Sequence, residues 1–110
     1  IHPILKTKQF HNGIDMAAPG GSPILAAYDG TVTAAAYSAT MGNYIMIDHG
    51  DNLYTIYMHA SKLYVSKGAE VVKGQKIAAV GTTGRSTGNH LHFSVRLNGS
   101  YMNPWEYLSS

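Results

Sequence analysis

The chain contains no cysteine, which excludes a disulfide framework, an iron-sulfur cluster, a thiolate zinc knuckle and a cysteine nucleophile. The absence does not fix the compartment, because an exported protein without cysteine simply avoids oxidation chemistry. Charge is scarce too. Only 13% of residues are Asp, Glu, Lys or Arg, and 8 basic against 6 acidic side chains leave a net +2 that reads as spread along the sequence. A phosphate-tracking surface is not indicated, so nucleic acid is not an expected partner. Long apolar runs are also missing: Gly, Asp or His interrupts each one well short of the ~20 residues that span a bilayer. Neither a transmembrane segment nor an export signal is expected, since the chain opens directly at Ile1-His2-Pro3-Ile4. Finally, no stretch repeats apolar residues at i, i+3, i+4 and i+7 for three turns, which disfavours a helical domain.

What remains is 110 residues, 45% hydrophobic and 10% aromatic, enough for one compact domain with one core and unlike the composition of a disordered regulator. Twelve glycines punctuate short β-prone runs. Strands are expected at 24–28, 30–37, 43–48, 53–59, 69–72, 76–80 and 92–97. The clearest unit joins Tyr44–Asp48 to Leu53–His59 through Gly50-Asp51-Asn52, which predicts an antiparallel hairpin at the centre of a sheet. Lys67-Gly68 and Lys73-Gly74 mark two further turns, and Pro104–Leu108 is expected to form a short helical turn whose Trp105, Tyr107 and Leu108 seal one end of the core. No internal repeat is visible.

Six histidines are many for this length. His11-Asn12-Gly13-Ile14-Asp15 would put imidazole and carboxylate on one face of a helix, but Gly13 and Pro19-Gly20-Gly21 argue for a loop or irregular strand. Alone, that spacing also describes solvated loop residues. In His90-Leu91-His92-Phe93, strand alternation points both imidazoles to one face and both apolar side chains into the core. Paired imidazoles are awkward for packing, because each needs hydrogen-bond partners, although a solvent-facing strand edge would accommodate them. Residues 81–89 supply a flexible loop that can wall a groove. In Tyr57-Met58-His59, alternation puts Tyr57 and His59 on one face with Ile56 and Met58 on the other. His49 at the hairpin turn reads as structural, held by hydrogen bonds to nearby backbone, and His2 before Pro3 has no companion at ligand spacing.

Without thiolate, a metal would be held by imidazole and carboxylate, a donor set that suits zinc or another borderline transition metal. Two imidazoles and one carboxylate around zinc leave a position for water, whose pKa falls towards ~7, while a further imidazole moves the proton. Spacing does not say which of His90 and His92 would bind the metal.

These residues resemble a known family. His11-Asn12-Gly13-Ile14-Asp15-Met16-Ala17-Ala18-Pro19, Tyr57-Met58-His59 and Gly84-Arg85-Ser86-Thr87-Gly88-Asn89-His90-Leu91-His92-Phe93 are similar to the H-x-G-x-D, Y-x-H and S-T-G-x-H-L-H-F signatures of the lysostaphin-type, or LytM-like, zinc metallopeptidases. Asp29-Gly30-Thr31-Val32, residues 42–49, Gly74-Gln75-Lys76-Ile77 and Asn103–Leu108 follow in the family's usual order. The resemblance covers essentially the whole chain. It implies a mainly β, antiparallel β-sheet or sandwich, barrel-sandwich-related, with a site in a groove. It implies cleavage of peptide bonds in the stem peptides or cross-bridges of bacterial peptidoglycan, at the cell envelope or outside the cell. On the matching positions His11, Asp15 and His92 correspond to the ligands of one zinc ion, and His59 and His90 to the catalytic imidazoles. Some relatives carry a tyrosine just before the first ligand, whereas the first tyrosine here is Tyr28. Residues 1–110 read as a single LytM-like peptidase domain excised from a longer exported protein. Two competing readings are a catalytically silent, zinc-binding or metal-free interaction module in a cell-division or sporulation complex, and a carrier domain like the biotinyl and lipoyl domains, suggested by 71–77. The lysines there lack the carrier's flanking pattern.

Overall fold

The computed structural model describes residues 14–17, 19–81 and 90–103, with residues 14–17 and His90 described by backbone alone. Among the described residues nine strands form one sheet: β1 (Ile14–Ala17), β2 (Pro23–Leu25), β3 (Gly30–Ser38), β4 (Gly42–Asp48), β5 (Leu53–Leu63), β6 (Glu70–Val71), β7 (Lys76–Val80), β8 (His90–Leu97) and β9 (Ser100–Met102). The main path is β1-β8-β5-β4-β3-β6, with β9 on β8 and β2 on β7, and every pairing is antiparallel. No helix long and apolar enough to cross a membrane occurs among the described residues.

The β4–β5 hairpin forms where its turn residues predict it. Gly50, Asp51 and Asn52 all take positive φ, at 92°, 55° and 64°, which Gly, Asn and Asp tolerate far better than branched residues. The turn closes through Leu53 N–H donating to the Gly50 carbonyl at 3.0 Å and His49 N–H donating to the Leu53 carbonyl at 2.9 Å.

Strand β5 organises the sheet. One edge runs along β4 from Tyr54 to Ala60. The other edge changes neighbour: β8 occupies it from Leu53 to Met58, and β7 from Ala60 to Leu63. His59 stands at that changeover. Gly81, just past β7, lies so close to β5 that a Cβ built on it would come within 2.6 Å of the Ser61 backbone nitrogen, so any side chain there would push β7 away from the junction.

The core fills the inside of this curled sheet. Ile24, Val32, Ile45, Ile47, Tyr57, Val71, Ile77, Ala78, Val80, Phe93 and Val95 are buried together, drawn from seven of the strands. The edge changeover of β5 allows one sheet to close over itself this way, since buried side chains of β2 and β7 join those of β4 and β8 in one cluster.

The strand expected at 24–28 ends at Leu25, the one expected at 53–59 runs on to Leu63, and two strands lie outside those expected. Residues 14–17, read as part of a loop or irregular strand, form a regular strand because β8 supplies a partner for each residue from Ile14 to Ala17. Strand β9 arises from Asn98-Gly99, whose φ values of 53° and 83° make a two-residue hairpin turn between Leu97 and Ser100. The expected helical turn at 104–108 lies outside the described residues.

Candidate functional site

Three strands bring the predicted residues to one level. Asp15 on β1 is the register partner of His92 on β8, and Met58 on β5 is the partner of His92 from the other side. Ala17 pairs with His90. The predicted alternation along β8 holds, since Phe93 and Val95 are fully buried in the core and His92 lies on the other face, partly exposed. His11 and residues 82–89 lie outside the described residues, as do the side chains of Asp15 and His90.

The alternation predicted for β5 does not hold. Tyr57 faces the core, its ring 5.3 Å from that of Phe93. The ring of His59 lies 6.5 Å from that of His92, edge-on at 75°, and so on the face opposite Phe93. A β-bulge is the cause. Between Ile45↔Tyr57 and Asn43↔Ala60 the register gains one residue on β5, and His59 takes φ 67°, a conformation costing a non-glycine residue about 1 kcal/mol or more unless neighbours hold it. Two groups hold it here: His59 N–H donates to the Met41 carbonyl at 2.8 Å, and the Asn43 side-chain amide donates to the Ala60 carbonyl at 3.1 Å. Nothing local in 41–43 announces that Met41 and Asn43 hold a bulge on the neighbouring strand.

Behind the site, Tyr57 ends a hydrogen-bonded chain through the sheet. His49 Nδ1 lies 2.7 Å from the Asp29 carbonyl, which can only accept, so Nδ1 donates. Its Nε2, 2.7 Å from Thr55 Oγ1, then accepts from that hydroxyl. Thr55 Oγ1 in turn accepts from the Tyr57 hydroxyl at 2.8 Å, and Ala27 N–H donates to Tyr57 at 3.0 Å. Every group is satisfied in one direction. Burial pushes the Tyr57 hydroxyl up to about 12, against the opposing hydrogen bond from the Ala27 N–H. His49 therefore has the structural role expected of it, with both ring nitrogens engaged.

A curled antiparallel sheet thus brings the rings of His59 and His92 and the β1 position of Asp15 to one level at a bulged changeover. Residues 9–104 match the family model of peptidase family M23, and the chain belongs to that family. Among its relatives is the peptidoglycan DD-endopeptidase ShyA of Vibrio cholerae, 42% identical over 103 residues that span 94% of this chain and 24% of ShyA. Similar solved structures include the catalytic domain of the antimicrobial peptidase lysostaphin from Staphylococcus simulans, with TM-score 0.84 and 35% identity over 91% of this chain and 80% of that one. A zinc-containing peptidase from Vibrio cholerae has TM-score 0.81 and 43% identity, covering 84% of this chain and 28% of that one. The chain spans about a quarter of the length of the curated relatives it matches.

Proposed function

We propose that this domain is a zinc-dependent endopeptidase that hydrolyses peptide bonds in bacterial peptidoglycan, in stem peptides or cross-bridges, and works in the cell envelope or outside the cell. The observation that carries the reading is the left-handed bulge that sets the His59 ring beside His92, at the level where Asp15 stands in register on β1. A sheet core has no need of a non-glycine residue at positive φ in mid-strand, and such strain collects where a side chain must be aimed.

The donor set fits zinc. His92 and Asp15 occupy paired positions on adjacent strands, and with His11 they would make two imidazoles and one carboxylate, the composition of an open zinc site. Zinc, when bound, supplies a Lewis acid for the scissile carbonyl and lowers the pKa of water. The chain supplies the remaining chemistry. His59 accepts the attacking water's proton at its imidazole and returns it to the departing amine, with His90 steadying the charge that develops on the carbonyl oxygen. The burial of His59, 7% exposed, strengthens such interactions by limiting water around them.

Digesting purified peptidoglycan with the domain tests this. The expected result is the appearance of new amino termini, abolished by a chelator and restored by zinc. Absence of release across several wall chemistries would overturn the reading in favour of a silent module.

A further inference from the structure

The net charge of the chain is small, but one segment that follows His59 is basic. Residues 62–76 hold Lys62, Lys67, Lys73 and Lys76 against the single acid Glu70, a local +3 in a chain whose total is +2. Two of these lysines converge on one ring: Lys62 Nζ lies 5.7 Å and Lys76 Nζ 4.8 Å from the centroid of Tyr64. Tyr64 is 45% exposed, and Leu25, the register partner of Lys76, is 49% exposed. Neither lysine meets a carboxylate among the described residues. Exposed ammonium groups repel each other and would otherwise spread into water, whereas here a tyrosine face gathers them into one strip.

The strip adjoins the site. Lys62 follows His59 by three residues on β5, roughly 10 Å along the strand, just past the changeover where β7 takes over the edge. A polymer whose scissile bond lies at His59 and which continues along β5 therefore reaches Lys62, Tyr64 and Lys76.

We propose that Lys62, Tyr64 and Lys76, with Leu25 at their margin, form a docking surface for the free carboxylates of peptides on the wall polymer; the proposal rests on the reading given under Proposed function. Charge complementarity identifies the occupant: the strip presents cations and an apolar ring face, and peptide stems present carboxylates on short aliphatic arms. The surface holds the insoluble polymer against the enzyme and takes no part in bond cleavage.

The test compares the wild-type domain with the Lys62→Gln/Lys76→Gln double variant. Each is sedimented on ice with peptidoglycan sacculi stripped of accessory polymers, at low and at high salt, and each is assayed on a short soluble cross-linked peptide. The double variant is expected to be retained about three- to tenfold less at low salt, to lose most of its salt dependence, and to cleave the soluble peptide at the wild-type rate. Wild-type retention is also expected to fall to the level of the variant when the carboxylates of the sacculi are blocked by amidation. Equal retention of both proteins at low salt would overturn the proposal, as would undiminished wild-type binding to amidated sacculi, which would point to another anion. A wild-type domain that binds sacculi in this charge-dependent way but cuts neither substrate would sink the peptidase reading and leave the docking surface standing.

Discussion

Two histidines at opposite ends of the same hairpin show how one side chain serves two purposes. His49, just after β4, has Nδ1 on a backbone carbonyl and Nε2 on the Thr55 hydroxyl, both at 2.7 Å. Its ring ties the Asp29 loop to β5 through Thr55 and Tyr57. His59, ten residues on, is gripped through its backbone by the Met41 carbonyl while a bulge sets its ring against His92. Where the ring carries the hydrogen bonds, the histidine belongs to the scaffold. The backbone of His59 fixes where its ring sits beside His92, the position from which the proposed reading has it act.

Substitutions on either side should separate these roles. The largest effect is expected from Asp15→Ala, which should take bound zinc from one ion per chain to almost none and abolish peptidoglycan cleavage. Circular dichroism should still show a folded β domain, because no link of the His49 chain is touched. Zinc retained at normal stoichiometry would contradict the ligand assignment.

Tyr57→Phe attacks the opposite side. It leaves the Ala27 N–H and the Thr55 hydroxyl short of a partner inside the core, and should cost about 1–3 kcal/mol of stability in urea unfolding while the bound zinc remains. A pH signature accompanies it. Burial raises the Tyr57 hydroxyl from its ordinary 10.0 to about 12 in the folded chain, so between those values the unfolded chain has given up a proton that the native one keeps. Stability from this group is therefore fully present below pH 10 and declines as the pH climbs to about 12, by roughly 2–3 kcal/mol. The Phe variant should lack this alkaline decline, and an identical decline in both proteins would remove Tyr57 as its source.

Much of this frame can be read from residues in sequence. The Gly50-Asp51-Asn52 turn, the two Lys-Gly turns and the burial of Phe93 between two polar neighbours are local facts, written in conformational preference and in period-two patterning. The Asn98-Gly99 hairpin is equally local, since both residues suit the positive φ that a two-residue turn needs. Position β1 could not be read the same way, since Gly13 and Pro19-Gly20-Gly21 argue against a strand and only pairing with β8 overrides them. The facing of His59 was also beyond reach: alternation holds until a bulge intervenes, and this bulge depends on Met41, Asn43 and the exchange of β8 for β7, all distant in sequence. The pairing of a ligand set with its catalytic imidazoles came from resemblance rather than from spacing, which leaves His90 and His92 equivalent.

The central claim is that His59 acts on the proton and not on the metal, and zinc stoichiometry measured together with peptidoglycan cleavage on one sample of His59→Ala tests it most directly. The expected outcome is one zinc per chain, with hydrolysis reduced roughly a hundred- to ten-thousandfold. Wild-type hydrolysis in that variant, or loss of its zinc, would contradict the account.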